Sequence, residues 1–110
     1  MEAFELAQLQ SDRRESDGLY LEFLAVPKMS VGLYELPADS TDPQSPHTED
    51  EVYYVISGRA SIRVGDDDRP VQSGSVVFVA AGVEHRFHSI SEDLTILVVF
   101  APSRGSQASS

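Results

Sequence analysis

The sequence predicts an all-β domain, built as an antiparallel sandwich or barrel with a short helix ahead of it. Three observations support this prediction. Short segments rich in Val, Ile, Leu, Tyr and Phe recur along the chain, turn-forming residues separate them at near-regular spacing, and 110 residues fit one domain. A domain of this size buries roughly 60–70% of its unfolded surface. A core can therefore form without disulfides, and the sequence has no cysteine to make them.

Residues 1–18 are expected to form a helical segment that packs on the barrel. Good helix formers run from Glu5 to Glu15 and include the apolar residues Leu6 and Leu9, and Gly18 marks the stop. At the other end of the chain, residues 102–110 are mostly small and polar. Such a composition predicts a disordered tail.

Residues 19–101 are expected to form the barrel, with about eight short strands. The clearest strand segments are 19–26, 30–36, 52–56, 59–64, 75–79, 85–90 and 94–100. Residues 38–46 are rich in Asp, Ser and Pro and predict a loop, and residues 91–93 predict a turn. Residues 75–79 are almost continuously apolar, which predicts a strand covered on both faces with Phe78 in the core. Ile96, Val98 and Phe100 are expected in the core as well.

The charge balance excludes several kinds of partner. The formal net charge is −10, so nucleic acid and anionic membrane surfaces, which require a positive field, are not expected as partners. No run of 18 apolar residues predicts a membrane span. Residues 1–10 contain no Lys or Arg, so a secretory signal is not predicted, and a cytoplasmic location is expected.

Two short blocks carry the candidate metal ligands His47, Glu51 and His85. On a straight strand the Cα atoms of His47 and Glu51 would lie about 13 Å apart, too far to share an ion. The segment 48–50 must therefore turn if both are ligands. His85 follows Gly82 at the start of a predicted strand, which lets its side chain point inward. Two imidazoles and a carboxylate suit Fe, Mn, Co, Ni or Zn and leave coordination positions open.

The two blocks resemble the two motifs of the cupin superfamily. The first motif is His-x-His, three or four residues, Glu, six residues, Gly; the residues that match it are His47, Glu51 and Gly58. The second is Gly, five residues, Pro-x-Gly, two residues, His, three residues, Asn; the residues that match it are Gly74, Gly82 and His85. This resemblance covers residues 19–101. It implies a jelly-roll β-barrel that holds one divalent metal ion.

The sequence departs from the family motifs at three positions. Ser45 stands in place of the first histidine of His-x-His, Ala80 in place of the proline, and Ser89 in place of the asparagine. Gln44 could supply an amide oxygen as a fourth ligand if the strand bulges there. Otherwise the site has three protein ligands and an additional open position.

Side chains alternate between the two faces of a strand, and this alternation predicts which of the remaining candidates face the cavity. Tyr53 shares parity with Glu51, so it is expected to line the cavity and is the candidate catalytic acid or base; the alternative is that it only packs. Tyr54 and His88 have the opposite parity to Glu51 and His85, so His88 is not expected to be a ligand. Glu49 is expected in a solvated acidic turn and would replace Glu51 only if Glu51 pointed away.

Two classes of function follow from these residues. The first is a metal-dependent enzyme, of oxygenase or isomerase/lyase type, that acts on a small organic molecule. The second is a non-catalytic or metal-free cupin that binds a small molecule. Apolar strands such as 96–100 also predict a homodimer, since dimerisation hides exposed sheet surface.

Overall fold

A computed structural model of the chain describes residues 1–43 and 46–106. These residues form one short helix and an antiparallel sheet, in agreement with the predicted all-β class. The elements are α1 Leu6–Glu15, β1 Tyr20–Val26, β2 Met29–Leu36, β3 Asp50–Val64, β4 Asp67–Gln72, β5 Val76–Val79 and β6 His85–Ala101. No helix in this part of the chain has the length and apolarity that a membrane crossing needs.

The sheet is ordered β1-β2-β6-β3-β4, and every pairing in it is antiparallel. The short strand β5 pairs with residues 51–54 of β3, while β4 pairs with residues 59–64, so β4 and β5 share one side of β3. Within the described residues no pairing joins β1 to β4. The ring of backbone hydrogen bonds is therefore open, although the sheet curls around a single core.

Two long, bent strands replace four of the predicted short ones. The β3–β6 register shifts three times between Val55 and Ser61, and such bulges bend a strand without ending it. Gly58 lies at this bend with a φ of +104°, and a Cβ there would collide with the carbonyl oxygen of Asp93. The turn predicted at residues 91–93 is wrong for the same reason, because β6 continues through it.

The core lies on the concave face of the sheet. Its most deeply buried apolar residues are Leu36, Tyr53, Val55, Ile62, Val79, Phe87, Leu94, Ile96, Val98 and Phe100. The prediction for Phe78 is wrong: 60% of its surface is exposed. Strand β5 alternates, with Val79 inward and Val76 and Phe78 outward, because the sheet covers only one of its faces.

The predicted N-terminal helix is confirmed, and it packs against the convex side of β1 and β2. Leu9 is its buried residue. Arg13 Nε lies 2.7 Å from Glu35 Oε1 on β2. Gln10 Nε2 and Thr95 Oγ1 also donate to Glu35 Oε2, at 3.1 and 2.9 Å. One carboxylate thus links the helix to two strands of the sheet.

Residues 102–106, the first part of the predicted tail, form a turn beside the start of β3. The backbone N–H of Arg104 donates to Ser30 Oγ at 2.8 Å. The next N–H, of Gly105, donates to Glu49 Oε1 at 2.9 Å. These two bonds hold the turn against β2 and the segment that precedes β3.

Candidate metal centre

The structure brings His47, Glu51 and His85 together, as predicted. One ligand atom from each residue lies within 4.8 Å of the other two. The side chains of Glu51 and His85 are each 1% exposed, whereas His47 is half-buried. The cluster therefore lies at the edge of the core, with His47 as its most accessible member.

Each ligand comes from a different structural context. Glu51 is the second residue of β3 and His85 is the first residue of β6, while His47 lies in the irregular segment ahead of β3. The chain bends at residues 48 and 49, as the spacing of His47 and Glu51 requires. The N–H of Gly82 donates to the carbonyl of His47 at 2.7 Å, which ties the two ligand-bearing segments to each other.

His85 presents Nε2 to the cluster because its other ring nitrogen is engaged. Nδ1 lies 2.9 Å from the carbonyl oxygen of Val83, which can only accept, so Nδ1 carries the hydrogen. In the neutral ring this leaves a lone pair on Nε2, 3.2 Å from Glu51 Oε1. Histidines that bind metals are commonly oriented in this way, through a hydrogen bond from the second nitrogen.

Several buried polar atoms of the cluster have no hydrogen-bond partner among the described residues. They are both carboxylate oxygens of Glu51, Nε2 of His85 and the hydroxyl of Tyr53. Burying an uncompensated carboxylate is costly, and placing it next to a nitrogen lone pair adds repulsion. A divalent cation would satisfy both groups at once, so the donor set fits a metal ion.

The two histidines have opposite pKa shifts. Burial lowers the pKa of His47, and the opposing attraction of Glu51 does not restore it. Burial would also lower the pKa of His85, but its contacts with the Glu51 carboxylate and the Val83 carbonyl raise it above the ordinary value. Without a metal, the contact with Glu51 therefore favours the protonated form of His85.

Tyr53 lies on the inner face of β3 and is fully buried, as its parity predicted, whereas Tyr54 on the outer face is 44% exposed. The centre of the Tyr53 ring lies 5.9 Å from that of the His85 ring and 5.0 Å from that of the Phe87 ring. Burial raises the pKa of Tyr53, and the neighbouring Glu51 charge raises it further. The side chain is therefore a neutral phenol at neutral pH.

Glu49 does not lie in a solvated turn, and that prediction is wrong. Only 2% of its surface is exposed, and its carboxylate accepts hydrogen bonds from the Thr48 hydroxyl and the Gly105 N–H. It binds the turn at residues 102–106 instead of joining the cluster. Its neighbour Asp50 is exposed and accepts a bond from the N–H of Ala81 at 2.9 Å.

Asp42 is a buried acid that the sequence analysis missed. It lies in the loop ahead of β3 with 1% of its surface exposed. Its carboxylate accepts bonds from the Tyr34 hydroxyl at 2.5 Å and the Phe87 N–H at 2.9 Å, which fixes the loop to the barrel wall. Nothing in a loop rich in Asp, Ser and Pro distinguishes this aspartate from exposed ones.

The remaining candidates are His88 and a fourth ligand at Ser45 or Gln44. His88 turns away from the cluster, as predicted, and its Nε2 lies 2.8 Å from Asp68 Oδ1 at the surface. The fourth ligand considered at Ser45 or Gln44 lies outside the described residues.

Three cavities have a residue of the cluster in their lining. One, of about 350 Å³, is here called the His47 cavity, and its lining includes Leu19, Tyr20, His47, Val98, Phe100 and Arg104. Another, of about 280 Å³, is called the Arg63 cavity, and its lining includes Arg63, Gly65, His85 and Arg86. The third, of about 400 Å³, shares His47 and Arg104 with the His47 cavity and is otherwise lined by Glu22, Pro46, Thr48, Glu49 and Gly105. The His47 cavity has the most apolar lining of the three, with aromatic and aliphatic side chains beside Arg104.

The match to a family model agrees with this geometry. The Cupin domain model matches residues 32–100. This chain belongs to the cupin family. The matched residues of the cupin domain include all three members of the cluster and most of the sheet, from Gly32 in β2 to Phe100 in β6.

Individual relatives support the same assignment. An uncharacterized protein of Streptomyces coelicolor is 58% identical over 102 residues, which span 93% of this chain and 97% of the relative. The crystal structure of TT1209 from Thermus thermophilus has a TM-score of 0.75 at 26% identity and covers 94% of this cupin and 99% of that chain. DMSP lyase DddQ from Ruegeria pomeroyi has a TM-score of 0.66 at 23% identity, over 78% of this cupin and 43% of that chain.

Proposed function

We propose that this cupin holds one divalent transition metal ion (Fe, Mn, Co, Ni or Zn) through His47, Glu51 and His85. We further propose that the loaded protein is an enzyme, of oxygenase or isomerase/lyase type, for a small organic molecule. The observation that carries the proposal is the buried Glu51 carboxylate, which has no hydrogen-bond partner among the described residues apart from the contact of Oε1 with His85 Nε2 at 3.2 Å. A metal ion in such a site supplies Lewis-acid activation of a bound oxygen atom.

The residues around the cluster have distinct roles in this proposal. His85 is oriented by the Val83 carbonyl, and Glu51 supplies the negative charge that favours a dication over a proton. Tyr53 is the candidate proton donor, because its raised pKa keeps the hydroxyl protonated. His47 lines the His47 cavity and so gives a small molecule access to the cluster.

A second candidate function is small-molecule binding without catalysis. The observation that favours it is the position of Tyr53, which is fully buried and is not among the residues that line the His47 cavity. A ligand in that cavity would then meet His47 but not Tyr53, the candidate proton donor. The resemblance in fold to a lyase does not decide between these functions, because one fold serves many chemistries.

Elemental analysis of protein purified without chelator tests the metal site. We expect wild-type protein to carry a stoichiometric transition metal, or to take one up on reconstitution. His85→Ala should lose it. The matched control His88→Ala, which removes a histidine outside the cluster, should retain it. If wild-type protein binds none of the five metals after reconstitution, the proposal is wrong.

Oxygen uptake and product analysis separate the enzyme from the binding protein. The Fe(II) form is incubated with diols, keto acids and sugars, and consumption of oxygen and of the organic compound are followed separately. Turnover that disappears in His85→Ala would support catalysis. Metal binding without turnover of any compound, together with measurable ligand affinity, would support the second candidate function.

A further inference from the structure

The His47 cavity connects the candidate metal centre to a single cation. His47 lies at its inner end, with its ring 4.9 Å from that of Phe100 and 5.6 Å from that of His85. Arg104 lines the same cavity and is exposed to solvent. A molecule of the size that about 350 Å³ admits would therefore contact the candidate metal centre and this guanidinium together.

Tyr20 lines this cavity with its side chain. Its hydroxyl oxygen is buried and has no hydrogen-bond partner among the described residues. Burial raises its pKa, which keeps the group a neutral donor. The ring lies against strand β2 at Gly32, where a Cβ would overlap the phenol ring and its oxygen. The absence of a side chain at Gly32 therefore allows the hydroxyl to lie where it does.

Arg104 is held at the cavity although it follows the last strand. Its backbone N–H is bonded to the buried Ser30, and the next N–H is bonded to the buried Glu49. Its guanidinium carbon lies 4.9 Å from the centre of the Tyr20 ring. Within residues 1–43 and 46–106 it has no salt-bridge partner, so its N–H groups are available to a ligand.

We propose that the His47 cavity binds a small organic monocarboxylate, with Arg104 and Tyr20 holding the carboxylate and the apolar floor holding the rest of the molecule. This inference rests on the proposed function, because it identifies the substrate class of the same site. A guanidinium matches a carboxylate in a two-point arrangement, and a phenol hydroxyl adds a third donor.

The surrounding charges favour a monoanion over a more highly charged ligand. Glu49, Glu51 and Asp42 are buried close to the cavity, and the chain as a whole has a net charge of −10. One arginine compensates one negative charge, whereas a phosphate dianion would face the remaining acids without a second cation. Val98 and Phe100 on the floor suit an aliphatic or aromatic body.

Calorimetric titration with three isosteric probes tests the inference. Benzoate, benzamide and benzylamine share one ring and differ in charge. We expect benzoate to bind more tightly than benzamide, and benzylamine to bind most weakly. Arg104→Met should weaken benzoate binding by about tenfold or more, the effect of removing a charge-assisted hydrogen bond, and should leave benzamide binding unchanged. Tyr20→Phe should weaken benzoate binding by a smaller factor.

The matched control is Arg63→Met, which removes an arginine from the Arg63 cavity. It should leave benzoate binding unchanged. If Arg63→Met weakens benzoate binding and Arg104→Met does not, or if wild-type protein binds none of the probes, the inference is wrong. Circular dichroism confirms that each variant is folded.

Each titration is repeated on metal-free protein and on protein loaded with Mn(II), which separates this inference from the proposed function. Benzoate affinity that depends on Mn(II) but not on Arg104 would place the carboxylate on the metal and overturn the inference alone. Benzoate affinity that depends on Arg104 in a protein that takes up no metal would support the inference while the proposed function fails.

Discussion

Nε2 of His85 lies 3.2 Å from Oε1 of Glu51, and no other hydrogen-bond partner among the described residues serves either atom. Two electron-rich atoms at this distance require a positive charge between or upon them. In the metal-free protein a proton on Nε2 provides it below the pKa of His85, which contacts with Glu51 and Val83 raise in spite of burial. A metal ion provides it in the loaded protein, so the two compete for the same position.

This competition predicts that metal affinity falls as the pH is lowered through the raised pKa of His85. Above that pKa the ring is already neutral, and affinity should no longer depend on it. His47 should add less to this dependence, because burial lowers its pKa, so His47 takes up a proton only at a lower pH than His85 does. Calorimetry of Zn(II) or Mn(II) binding between about pH 5.5 and 8, in two buffers with different ionisation enthalpies, measures the proton released.

The control for this measurement is His88→Ala, because His88 lies outside the cluster, beside Asp68. Its removal should leave both the affinity and the proton release unchanged. A metal affinity that stays constant over the whole pH range would contradict the competition between proton and metal at His85.

The residue at position 32 sets the place of the Tyr20 ring. A Cβ there would overlap the phenol, so Gly32→Ala should displace the ring and destabilise the fold by about 1–3 kcal/mol, as overpacking does. Urea unfolding of a double-mutant cycle checks this prediction. In a Tyr20→Ala background the cost of Gly32→Ala should largely disappear, because the colliding ring is gone. An unchanged cost in that background would contradict the prediction.

The Glu35 carboxylate links α1 to the sheet and predicts a pH dependence of stability. Burial would raise its pKa, but hydrogen bonds from Arg13, Gln10 and Thr95 together lower it below the ordinary value. A lowered pKa in the folded state stabilises the protein above the unfolded pKa. That stabilisation is lost as the pH falls through the folded pKa.

Replacing Glu35 should therefore cost stability at neutral pH and little in acid. We expect Glu35→Gln to lower the free energy of unfolding by about 1.5–3 kcal/mol at pH 7, the range for hydrogen bonds to a charged group. The matched control is Glu92→Gln, which removes the partner of Arg59 in an exposed pair. Its effect should stay below about 1 kcal/mol. Equal losses from both variants would contradict the role of Glu35.

The positions of the candidate ligands were predictable from sequence because they are set by the spacing of residues and by turns only a few residues away. The spacing of His47 from Glu51 requires a bend, and Gly82 places His85 at the start of a strand; both expectations hold in the structure. Parity also assigned Tyr53 inward and Tyr54 outward. These predictions need only strand periodicity and turn chemistry, which act over a few residues.

The errors concern properties that depend on the whole fold. An apolar run does not reveal how many of its faces are covered, so Phe78 was placed in the core although it lies on an open face. Glu49 is buried because a turn 56 residues further along the chain binds its carboxylate. Strand β3 continues through Gly58 because this glycine adopts the positive φ of a bend, and the segment was predicted as a turn although a glycine within a strand can equally mark a bulge.

The exposed side of the sheet gives the predicted homodimer a specific surface. Val52 on β3 is paired with Phe78 on β5 and Val99 on β6, and the adjacent outward residue Tyr54 is paired with Val76 and Leu97. We call these six residues the outer apolar strip. Val76 and Phe78 are 67% and 60% exposed. Strand 96–100, by contrast, turns Ile96, Val98 and Phe100 into the core, so these three residues cannot form the interface.

We predict that a second copy of the chain covers the outer apolar strip. An uncharged surface suits self-association, because two chains that each carry a net charge of −10 repel each other elsewhere. Light scattering after size exclusion should give the mass of a dimer for wild-type protein and of a monomer for Phe78→Glu. The matched control is Val26→Glu, an exposed apolar residue on β1 that lies outside the strip. It should remain dimeric. A wild-type protein that is monomeric at all concentrations, or a dimer that Phe78→Glu leaves intact, would show that the strip is not the interface.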